Sequence, residues 1–103
     1  MQLRYPREAL HKIVEQAMIY QCACPAQVCK AIGQMRELHR YQQDCLTASD
    51  TDHAVHRRIA AAAEQAHREL EQCLEDVLKL EGWNPATLEM PANLPKRRRS
   101  AEA

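Results

Sequence analysis

"IAAAAEQAHRELEQCLEDVLKL", residues 59–80, reads as one uninterrupted amphipathic helix. Ile59, Ala63, Ala66, Leu70, Cys73, Val77 and Leu80 recur in alternating steps of four and three. At that spacing, side chains return to one face and form a heptad-like seam. Glu64–Arg68 and Glu75–Lys79 stand four apart with the acid first, the favourable order for a helical ion pair. Gly82 follows as a helix terminator, and Trp83 behind it is placed to fold back on the last turn. Upstream, "TASDTD" at 47–52 breaks the pattern. Ser49 with Asp52 three positions later resembles a capping box, with Asp in place of the usual Glu. A helix over about 50–81 is expected.

Two shorter helices precede it. Pro6 suits a helix start, because its missing N–H has no partner there in any case. Leu10, Ile13, Val14, Ala17 and Met18 follow at helical spacing, to about residue 21. Pro25 ends that run and can open the next helix, with Cys24 as its N-cap. Val28, Ile32, Met35, Leu38, His39 and Leu46 then mark an apolar stripe to about residue 47, with Cys45 beside it. From Asn84 onward three prolines forbid a continuous helix, and Leu88, Met90 and Leu94 suit an extended strap pinned to the bundle.

The fold expected is all-α: an antiparallel three-helix bundle with helices at about 6–21, 25–47 and 50–81. Residues 1–95 make one domain, and 96–103 form a basic, disordered tail. Composition agrees. The chain has 103 residues, no Phe and two glycines, and Ala, Glu, Gln, Arg and Leu are abundant.

Charge and composition also bound function. Lys and Arg number 14, balancing 14 Asp and Glu. Four of those cations, Lys96, Arg97, Arg98 and Arg99, sit together near the end. Setting them and Glu102 aside leaves a mildly acidic body, unsuited to clamping nucleic acid. Any phosphate contact falls to the basic run. Gly33 and Gly82 are too few and too far apart for a phosphate-cradling loop, and no enzyme activity is expected. No apolar run reaches the roughly 18–20 residues a bilayer requires. The opening "MQLRYPREAL" has no apolar export region, so a reducing cytoplasm is the expected setting.

Five cysteines pose the sharpest question. In a hairpin turning near 49–52, facing residue numbers on the second and third helices sum to about 101. Cys73 then lies level with Cys29, at the same end as Cys22 and Cys24. Cys22, Cys24, Cys29 and Cys73 are thus a candidate four-thiolate site for zinc or an iron–sulfur cluster. Cys24, at a helix N-terminus, is the candidate reactive thiol, because free N–H groups there stabilise a thiolate. Packing alone explains the same residues. Cys is a small apolar side chain, and Ala26, Cys29 and Gly33 form a small-residue stripe that a neighbouring helix could approach. His53 and His56, with Cys45 opposite, make a thinner second cluster.

The function expected is that of a small helical binding or adaptor protein. The long third helix has more apolar length than two neighbours cover, so a dimer is expected, with Leu70 and Val77 at its interface. The alternatives are a metal or iron–sulfur protein and a thiol redox sensor.

Overall fold

The computed structural model describes residues 1–19, 23–45 and 50–92, with the backbone alone at 50–52. Three helices follow in order: α1 (Arg7–Ala17), α2 (Cys24–Asp44) and α3 (Asp50–Glu81). They pack as the antiparallel bundle expected. α1 lies on α2 and α2 on α3, while α1 and α3 make no close backbone approach.

Pro6 is the N-cap of α1, its carbonyl accepting from the N–H groups of Ala9 and Leu10. The helix ends at Ala17, four residues before the expected stop at 21. Ala17 is fully buried, but Met18 and Ile19 beyond it are about half exposed. With no further apolar surface to cover, the next turn is not held by packing, which supplies most helical stability. α2 begins one residue earlier than expected. Ala23 caps it, and Cys24 lies inside the first turn with Pro25. Its last helical residue is Asp44, and Cys45 closes it by donating to the Tyr41 carbonyl at 2.9 Å. Leu46 and the Ser49–Asp52 capping box fall on residues or side chains outside those described.

α3 ends as its sequence dictates. Gly82 has φ +83°, a left-handed conformation glycine adopts without steric penalty. Its N–H donates to Lys79 at 3.1 Å and that of Trp83 to Leu78 at 2.9 Å, the paired bonds of a Schellman motif. Trp83 folds back and is 5% exposed.

The bundle has two unlike halves. At the elbow end, Leu10, Ile13 and Ala17 of α1 meet Ala26, Cys29 and Ile32 of α2, with Leu74, Leu78 and Trp83 completing the core. Leu88 and Met90 press on it from the strap, as expected, while Leu94 lies outside the described residues. Gln16 fastens that strap: its amide donates to the Leu88 carbonyl and accepts from the Met90 N–H, both at 2.8 Å. The distal half is held differently. There α2 and α3 face each other through polar pairs: Arg36 with His67, His39 with Glu64, and Gln42 with His56, at 2.7–2.9 Å. The numbers of the three pairs sum to 103, 103 and 98, so the hairpin register lies within three residues of the expected value.

The register is as expected; the face is not. The side of α3 turned to the core carries Ala63, His67, Glu71, Leu74 and Leu78. Of the expected seam, Ala63 is buried and Leu70 packs on the core, while Ile59, Ala66, Cys73 and Val77 are only half-buried and Leu80 is 87% exposed. His67 and Glu71 are polar, so apolar periodicity alone turned the helix toward its neighbouring stripe. Glu64, expected to pair with Arg68, reaches His39 instead. Gly33 is also not a point of close helix approach, since a Cβ there would meet nothing within 4 Å.

Candidate functional site

Arg36 and Glu71 form the most buried ion pair among the described residues, 3.3 Å apart with side chains 14% and 3% exposed. A buried charge pair is stable only when its remaining hydrogen-bonding capacity is met. Here the leading segment meets it. The N–H groups of Arg4 and Tyr5 donate to one Glu71 oxygen at 2.8 and 3.1 Å, and Arg36 donates to the Tyr5 carbonyl. The Arg4 guanidinium adds an outer contact to Glu75 at 2.7 Å. Residues 4 and 5 are therefore clamped by their backbone across α2 and α3.

His67 lies beside this clamp and has no solvent exposure. Arg36 can only donate, so His67 Nε2 accepts and the proton sits on Nδ1. Nδ1 lies 3.5 Å from Glu71 and has no hydrogen-bond partner. Burial lowers the His67 pKa from the usual 6.5, against the pull of Glu71. The imidazole is neutral under ordinary conditions. This cluster is structural in geometry: apart from the His67 Nδ1–H, its groups satisfy one another and the chain.

The cysteines are spread over different environments. Cys29 is buried in the core, where desolvation pushes its thiol up to about 12, so it is protonated and apolar in behaviour. Cys24 is exposed on the first turn of α2, inside the helix rather than at its cap. Cys73 is half-buried on α3, and Cys45 half-buried at the end of α2. Cys22 lies outside the described residues. Among the described residues, no three His, Cys, Asp or Glu side chains are grouped to hold a metal ion. His56 turns its Nδ1 to Gln42. Lys96, Arg97, Arg98 and Arg99 also lie outside the described residues.

The remaining feature is a face. Between α2 and α3, on the side away from the clamp, Met35, Leu38 and Arg58 border a groove floored by Ile59, Ala62, Ala63 and Ala66. Its volume is about 460 Å³. Along α3 the same face runs from Val55, 48% exposed, through Ile59, Ala62 and Ala66 to Cys73, Val77 and Leu80. At 100° per residue this stripe sits roughly a quarter-turn from the core-facing one. α3 thus carries a core-facing stripe that the chain covers and, beside it, an apolar stripe that the chain covers only in part. Val77 of the expected interface stays on the uncovered stripe, whereas Leu70 is engaged by the core.

The chain matches no protein-family model, no curated protein and no solved structure. No described helix is long and apolar enough to cross a membrane.

Sequence reasoning found the long helix and the level of its partners but missed the clamp. Arg36 and Glu71 gave no local signal, being ordinary charged residues on helices. The one hint was position: Glu71 stands between Leu70 and Leu74, where a solvent-facing acid is out of phase with the core.

Proposed function

We propose that this chain is a self-associating interaction module of the cytoplasm that works by binding and not by catalysis. The observation that carries the reading is the uncovered apolar groove of Met35, Leu38, Ile59, Ala62 and Ala66 on the distal hairpin. The inner side of that hairpin is polar, through the His39–Glu64 and Gln42–His56 pairs. The chain itself leaves its apolar side chains only partly covered, Leu38 being 37% exposed. A contiguous apolar patch with a polar rim is the ordinary signature of a protein interface. The occupant proposed is a second copy, because two hairpins of equal register placed side by side complete a four-helix core.

Sedimentation equilibrium over a wide concentration range tests this. A reversible dimer is expected, and Leu38→Glu should yield a folded monomer with unchanged helicity. A wild-type chain that stays monomeric throughout overturns the reading.

A further inference from the structure

We infer that the second copy binds antiparallel, α3 alongside α3, with the two-fold axis passing between Ala62 and Ala66. The inference rests on the self-association proposed above and specifies its geometry. Three observations lead to it.

The uncovered stripe has its small residues at one place. Ala62 and Ala66 are consecutive positions of the stripe, flanked by the larger Val55 and Ile59 on one side and Cys73 and Val77 on the other. Two helices crossing at the alanines approach most closely there, and the larger side chains fill the space to either end. The groove floor has the same centre, since Met35 and Leu38 border it at that level.

Charge then selects the direction. Arg58, which also lines the groove, and Glu69 are exposed along one edge of the stripe, and neither has an ion-pair partner among the described residues. In a parallel, in-register pair the two-fold runs along the helices and sets Arg58 and Glu69 on the opposite side of the seam from the partner's Arg58 and the partner's Glu69, so they form no pair. In the antiparallel pair centred at the alanines, Arg58 lies level with the partner's Glu69, and the same contact repeats across the axis. Opposite charges therefore favour the antiparallel arrangement, which alone pairs them.

The hairpin supplies the rest. α2 packs on α3 a quarter-turn from the stripe, so the two-fold axis brings both α2 helices to the same side. Leu38 is 37% exposed in the single chain, and it then faces the partner's α2 near the axis. The product is a four-helix bundle of two hairpins, with the two α1 helices left at opposite ends.

The same register places Val55 opposite the partner's Cys73, which gives a direct test. In Val55→Cys, copper–phenanthroline should take two electrons and two protons from the paired thiols and leave an intermolecular 55–73 disulfide, mapped by mass spectrometry. The added change Cys73→Ser should abolish it. Independently, Glu69→Arg should weaken self-association by roughly tenfold or more, and Arg58→Glu combined with it should restore the dimer. Glu69 is exposed, so neither change disturbs the fold. A dimer that lacks the 55–73 crosslink and ignores Glu69→Arg overturns the register while leaving self-association standing. A monomer at every concentration overturns both.

Discussion

Arg36, His67 and Glu71 show how a polar residue earns a place inside a helical bundle: each is met by a fixed partner. Glu71→Ala leaves the Arg36 charge buried and removes the acceptor of two backbone N–H groups. A loss of about 3–5 kcal/mol is expected in urea unfolding. Faster amide exchange at Arg4 and Tyr5 should accompany it. His67 sets a pH dependence whose sign follows from its lowered pKa. Below the usual 6.5 the unfolded chain takes up a proton that the folded chain refuses, so the unfolded state gains. Stability should therefore hold above about pH 6.5 and fall as the pH drops from there toward the folded-state value. His67→Gln should flatten that slope in denaturant melts at stepped pH. Cys29 behaves in the opposite sense to a reactive thiol. Raised to about 12, it should resist iodoacetamide at mildly alkaline pH until the chain unfolds, while exposed Cys24 is modified in the native state. Native-state modification of Cys29 at the rate of Cys24 would contradict the burial described.

At the scale of the element, α3 separates two kinds of apolar residue that look alike in sequence. Leu74 is fully buried, and Leu74→Ala should lower stability by about 2–4 kcal/mol. Leu80 is 87% exposed and lies past the end of the proposed overlap, so Leu80→Ala should change stability by less than about 0.5 kcal/mol. Chemical denaturation of the two variants decides it. The three helices and the Schellman stop at Gly82 and Trp83 were legible because spacing, proline and glycine act locally. The hairpin register was legible too, since a short connection leaves little freedom. The rotation of α3 was not, because it depends on Arg36 and the Arg4–Tyr5 backbone drawing His67 and Glu71 inward, and nothing within α3 announces those partners. For the same reason the end of α1 was misplaced. Met18 and Ile19 suit a helix, and only the absence of a surface to cover stops it.

For the whole molecule, the division into an apolar elbow half and a polar distal half sets where each force acts. The elbow half is closed by α1, α2, α3 and the strap and supplies most of the burial. The distal half is a hairpin whose apolar edge faces outward. The elongated outline, 55 × 33 × 19 Å, reflects that imbalance. Gln16 carries a further consequence, one of timing. Its two bonds join α1 to residues 72 and 74 positions later in the chain. During synthesis, α1 is made well before Leu88 and Met90, so its final turn is fixed only when they arrive. The amides of that turn and of Met90 should then open together in native-state hydrogen exchange, and Gln16→Ala should lower the protection of both. The last turn of α1 is completed only by a segment made long after it.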